Sequence, residues 1–253
     1  MQRKSEVTTS ERNDIQARAA KVRLVVADFL DAAHLGSCFA PFLDRIELFA
    51  SMISLWGSRM NLTAEPDDPD QIAFHIIDSL TPLVISDREE LLRPAFRAVS
   101  QVLDLGSGAG FPGLVLAAAS PAKFTLVESR RKRASFLSVA AAEMNLKNVT
   151  VILRQIVPDA TNTRRSPSND PADTDRRFDV VTARSYARPP AFYSAAASAL
   201  RLGGIAILYA NPGQNLGLDD ARTKGLSEFR SVLYAVPRGR REAKRILGLW
   251  RRQ

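Results

Sequence analysis

The stretch QVLDLGSGAGFPG, residues 101–113, constrains the fold more than any other part of this chain. A short apolar run ends in a turn carrying Gly106, Gly108, Gly110 and Gly113. Glycine takes positive φ without penalty and has no side chain, so such a turn lets a ligand approach the backbone closely. Two spacings overlap in it. Gly108, Gly110 and Gly113 give G-x-G-x-x-G, the dinucleotide fingerprint. Asp104, Gly106, Gly108 and Gly110 give D-x-G-x-G-x-G, with an acid at the strand end and the turn starting two residues earlier.

The surrounding chain places this turn inside an alternating pattern. VSQVLDL (99–105), KFTLVES (123–129), NVTVILR (148–154), FDVVTAR (178–184) and IAILYA (205–210) read as strands. SRRKRASFLSVAAAEMN (129–145) and PPAFYSAAASALRLGG (189–204) read as helices between them, the second closed by a glycine pair. Strands alternating with helices imply an α/β fold with a parallel, doubly wound sheet and helices on both faces. Upstream, apolar residues recur at helical spacing from Glu11 to Ala33, from Ala40 to Arg59 and from Asp70 to Ile85, with no glycine cluster. The expected organisation is a polar, disordered tail over 1–10, a helical N-terminal cap over 11–95, and a ligand-binding domain over 96–253. Within that domain PDATNTRRSPSNDPADTDRR (158–177) reads as a flexible insertion. RILGLW (245–250) reads as a last strand flanked by arginines.

Four features favour the D-x-G-x-G-x-G reading, a loop like that of enzymes that use S-adenosylmethionine (SAM). Gly106 directly follows the strand. Asp104 would be an unhelpful buried carboxylate beside a pyrophosphate. Gly203-Gly204 before a strand resembles a turn of SAM-dependent methyltransferases. The glycine-rich unit also begins near residue 100, after an all-helical segment. Glu128 does not discriminate, since an acid 20 residues after Gly108 and at the end of a strand serves either ligand's ribose.

Charge narrows the partner. Lys and Arg total 35 against 27 Asp and Glu, a formal charge of +8, and the isoelectric point is near 10. That balance suits a polyanion such as nucleic acid. One cysteine, Cys38, allows no internal disulfide and no zinc site, and a reducing cytoplasm is the expected compartment. No metal is expected. The first residues lack the apolar core of a signal peptide, and no run approaches the roughly 18 apolar residues of a membrane span.

Five blocks in order resemble one family: NLTA (61–64), HIIDSL (75–80), LDLGSGAGFPG (103–113), TLVESRRKRASFL (125–137) and FDVVTARS (178–185). Together, over about residues 34–215, they are similar to the GidB/RsmG family of guanine-N7 methyltransferases of bacterial small-subunit ribosomal RNA. The resemblance implies a Rossmann-like SAM-binding sheet with a helical cap, acting as a cytoplasmic enzyme on small-subunit ribosomal RNA or a ribosomal particle. A monomer is expected. It implies cofactor contacts at Gly106, Phe111, Glu128, Ile156, Val157 and Arg184. Gly108 joins that set from the loop, as does Asp104, whose expected role is to bind loop amides. Two positions depart from the family: Val157 stands where a Glu is usual, and Asn211-Pro212-Gly213 stands for Leu-Lys-Gly.

Substrate contacts are expected at Arg184, at His75, and at Arg130, Arg131, Lys132 and Arg133. Cations opening a helix oppose its dipole, so RNA phosphate explains that basic run better than helix stability does. Guanine N7 carries a free lone pair, so no catalytic base is assigned and catalysis reduces to positioning. N7 is inaccessible in the deep major groove of A-form RNA, so the base must be unpaired or flipped. A nicotinamide-dependent oxidoreductase and a non-catalytic RNA-binding relative are the alternatives.

Overall fold

A computed structural model describes residues 8–35, 40–155, 178–185 and 188–253. Helix α1 (Thr9–Ala32) opens with a capping box. Thr8 Oγ1 accepts from Glu11 N at 3.2 Å, and Thr8 N donates to Glu11 Oε2 at 2.8 Å. Residues 8–10, read above as the end of a disordered tail, therefore start the helix, because the box satisfies donors that would otherwise be orphaned. Helix α2 (Ala40–Met60) and helix α3 (Pro69–Val84) follow. Asp68 caps α3 through Asp70 N at 2.9 Å, and Pro69 takes the first helical position, where its missing N–H costs nothing. Val22, Val26 and Leu30 of α1 and Ile46, Phe49 and Ile53 of α2 form one apolar layer. Helix α3 is buried nearly all round, since α1, α4 (Gly113–Ala119) and the edge of the sheet enclose it.

The sheet has seven strands: β1 (Gln101–Leu105), β2 (Lys123–Glu128), β3 (Val149–Leu153), β4 (Phe178–Arg184), β5 (Leu200–Ala210), β6 (Leu226–Arg238) and β7 (Arg241–Arg252). Their order is β3-β2-β1-β4-β5-β7-β6. The first five are parallel, and β7 and β6 join as an antiparallel hairpin. The sheet is thus mixed rather than wholly parallel. Helices α4 and α5 (Arg131–Glu143) and the three N-terminal helices pack on one face. Helices α6 (Pro189–Ala199) and α7 (Leu218–Thr223) pack on the other, around Trp250, whose ring meets Tyr193 edge-on at 5.0 Å.

The helix expected to reach Gly204 stops at Ala199. Residues 200–204 already belong to β5, with a register shift against β4 between Phe178 and Val180. The last strand begins at Arg241, four residues before the expected RILGLW, because β6 pairs along its whole length. Among the described residues no helix is long and apolar enough to cross a membrane. The insertion 158–177 and Cys38 lie outside the described residues.

Candidate functional site

The sheet order reverses at β1 and β4, and in open α/β sheets ligands bind beyond the strand ends at that point. The turn 106–113 emerges there. Gly106, Gly108 and Gly110 have φ of 70°, 57° and 98°. Gly106 N and Ser107 N both donate to Val127 O, at 2.8 and 3.1 Å, which folds the turn over the end of β2. A Cβ at Gly110 would lie 2.7 Å from Leu114 Cδ1, so that glycine is required by packing as well as by φ. A Cβ at Gly108 would meet nothing nearer than Gly106 O at 3.7 Å. That is ordinary contact, with Arg133 Nη1 next at 3.9 Å, so the positive φ rather than crowding selects glycine at this position.

Glu128 closes β2 beside this turn and is 5% exposed. Its Oε2 accepts from Gly108 N at 2.9 Å, and its Oε1 accepts from Arg130 N at 2.8 Å. The carboxylate thus fastens the loop to the start of α5. Oε1 also accepts from Ser129 Oγ at 3.3 Å, which leaves Oε2 the lone pair for a further donor such as a ribose hydroxyl. Asp104 is fully buried in β1. Its Oδ2 accepts from Gly113 N at 3.2 Å, and its Oδ1 has no partner among the described residues. Burial pushes this carboxyl up to about 7, against the opposing pulls of the Ser107 hydroxyl and the Gly113 N–H. The glycine cradle and the acid at the β2 end, whose carboxylate occupies a loop amide, fit a nucleoside better than a pyrophosphate.

Phe111 is buried. Its ring lies 5.4 Å from Phe49 and 5.2 Å from His75, with the Arg184 guanidinium 5.0 Å from its centroid. The side chain joins loop to cap. Arg184 ends β4, and Ser185 at φ 56° turns the chain away behind it. His75, on α3, has a buried Nδ1 without a partner among the described residues. Burial, reinforced by Arg184, holds the imidazole down at about 3, so it is neutral at physiological pH. It cannot serve as a cation for phosphate, and a substrate contact there is restricted to hydrogen bonding or stacking.

The basic run divides. Arg130, Arg131 and Lys132 are exposed and make no ion pair among the described residues. Arg133 instead donates through Nη2 to Asn61 O, tying α5 to the turn before α3. Ile156 and Val157 lie outside the described residues.

The site also contains residues outside the expected contact set, although Asp78 lies in the HIIDSL block. Asp78 is fully buried on α3 and holds Arg184, Tyr234 and Arg245. A carboxylate between Ile77 and Leu80 on an apolar helix face was the signal, since a buried charge requires a partner. Arg245 of β7 also donates to Asn211 Oδ1, bringing a cation to the Asn-Pro-Gly turn. A cavity of about 330 Å³ opens beside this cluster, with His75, Phe74, Glu65, Arg238, Lys244 and Arg245 among its walls.

The family of rRNA small subunit methyltransferase G matches residues 43–227. The chain is 39% identical over 179 residues to ribosomal RNA small subunit methyltransferase G of Acidiphilium cryptum, covering 70% of this chain and 71% of that one. It is 34% identical over 215 residues to the protein of the same name from Carboxydothermus hydrogenoformans, covering 80% and 83%. Among solved structures, the T. thermophilus 16S rRNA N2 G1207 methyltransferase in complex with AdoMet and guanosine superposes with a TM-score of 0.50 at 23% identity, covering 70% of this chain and 43% of that one. An O-methyltransferase from Bacillus cereus in complex with SAH superposes with a TM-score of 0.50 at 14% identity, covering 80% and 90%. These two likenesses concern the fold.

Proposed function

Because the chain belongs to the GidB family of rRNA small subunit methyltransferases G, we propose that it transfers a methyl group from SAM to guanine N7 of small-subunit ribosomal RNA. It is a SAM-dependent rRNA methyltransferase. The observation that carries the cofactor site is the Glu128 carboxylate bonded to Gly108 N within the turn of positive-φ glycines.

SAM, when bound, supplies a methyl group on a sulfonium. Glu128 would take the ribose hydroxyls, and Gly106 and Gly108 would let the nucleoside lie against the backbone. Asp104 holds the turn through Gly113, and Phe111 holds it to the cap. Arg184 would close the far side. Ile156 and Val157 are the proposed adenine neighbours. N7 needs no deprotonation, which agrees with a site whose one histidine, at about 3, is a poor base. The site's work is to orient a purine against the donor.

The RNA is proposed to cross the cavity beside His75, with phosphates on Arg130, Arg131, Lys132 and the arginines of the β6–β7 hairpin. We take the cap as 8–95, the methyltransferase unit as 96–253, and the enzyme as a cytoplasmic monomer. Calorimetric titration with SAM, with NADH and NADPH as controls, tests the cofactor. N7-methylguanine mapping on naked RNA and on small-subunit particles tests the substrate. Binding of SAM alone and a new N7 mark are expected. Binding of a nicotinamide, or SAM binding with methylation at another atom, would overturn the reading. Glu128→Gln should weaken SAM at least about tenfold by removing a charge-assisted acceptor.

A further inference from the structure

The Asp78 carboxylate has no role in the reading above, yet it is the most heavily bonded acid described. Four donors from three strands converge on it. Arg184 Nη1 of β4 lies 3.1 Å from Oδ2. Tyr234 Oη of β6 donates to Oδ1 at 2.7 Å. Arg245 of β7 reaches Oδ1 through Nε at 3.2 Å and Oδ2 through Nη2 at 3.4 Å. The two arginine side chains are only 12% and 13% exposed, and Asp78 is fully buried.

The two arginines point to different halves of the site. Arg184 lies against Phe111 of the cofactor turn, 5.0 Å from its ring centroid, and Arg245 walls the cavity and bonds Asn211. We propose that Asp78 is a positioning residue for methyl transfer: one carboxylate holds Arg184 at the cofactor turn and Arg245 at the cavity. This rests on the proposed assignment of that turn and cavity. An arginine has four soft torsions and loses its fixed place once its partner is gone. Two buried guanidiniums without a shared anion also repel, so removing Asp78 expels at least one of them. The transfer moves a positive charge from sulfonium to purine, and an unneutralised cation left on the purine side of that path would oppose it.

The test uses the full chain and small-subunit particles. Asp78→Asn keeps the shape and removes the charge. Its single-turnover transfer rate should fall on the order of 100-fold, with a cooperative melting transition retained. Adding Asp78→Asn to the double variant Arg184→Gln/Arg245→Gln should slow transfer no further, because the acid acts through those two arginines. Tyr234→Phe, which leaves both ion pairs, should slow transfer several-fold with SAM affinity unchanged, and keeps the idea testable where Asp78→Asn fails to fold. Wild-type transfer in Asp78→Asn or in Tyr234→Phe, or a further loss when Asp78→Asn is added to the variant lacking both arginines, would overturn the proposal. A wild-type protein that binds no SAM refutes the functional reading itself, and this proposal with it.

Discussion

Replacing Asp104 by asparagine should remove a specific pH dependence from the protein's stability. The folded carboxyl is raised to about 7 from an ordinary 3.8, chiefly by burial. Between those values the folded chain keeps a proton that the unfolded chain has released. Stability from this group is therefore fully present below about pH 4 and is lost as the pH rises through 7. At about 1.4 kcal/mol per pKa unit, the loss across that window is on the order of 4 kcal/mol. Asparagine is neutral throughout and keeps an oxygen for Gly113 N, which now sits 3.2 Å from Oδ2. Urea unfolding of both proteins, without ligand, from about pH 4 to about pH 8 measures the effect as a difference. The wild type should lose ground to Asp104→Asn steadily as the pH rises. A difference that is flat with pH, or that favours the wild type at high pH, would refute the argument that burial keeps this acid protonated.

Gly113→Ala should destabilise the turn, because the new methyl would lie 2.4 Å from Leu126 Cδ2 and 2.5 Å from Asp104 Oδ2. Overpacking of that kind costs about 1–3 kcal/mol, read as a lower urea midpoint. Arg131→Ala with Lys132→Ala should weaken RNA binding and reduce the slope of log affinity against log salt by roughly 0.7–0.9 for each phosphate no longer neutralised. SAM affinity should not move, and an unchanged salt slope would show that these exposed side chains do not touch RNA.

The parts of the fold that were legible in the sequence share a physical cause. Strands β1, β2, β4 and the end of β5 are buried on both faces, so they read as continuous apolar runs. Strand β6, LSEFRSVLYAVPR, lies at the sheet edge, half exposed and mixed with charge, and carries no comparable signal. Helix α4, GLVLAAA, is buried on every side and so has no polar face to mark its period. The same contrast holds in the site. Asp104, Gly108 and Glu128 lie close along the chain, and their spacing announces the turn. Asp78 meets Arg184, Tyr234 and Arg245 across separations of 106, 156 and 167 residues, and no local pattern encodes such a meeting.

The β6–β7 hairpin has a consequence beyond the site. Its strand β7 pairs along Ile205–Ala210 of β5, a fully buried IAILYA segment with no charge, glycine or proline. Left uncovered, that segment would be an open edge of the kind that recruits other chains into aggregates. The hairpin replaces it with an outer strand bearing Glu228, Arg230, Pro237 and Arg238, residues that discourage pairing. A lesion that frees the hairpin, such as loss of Trp250, should therefore be seen first as insolubility, before any assay of methylation could register it.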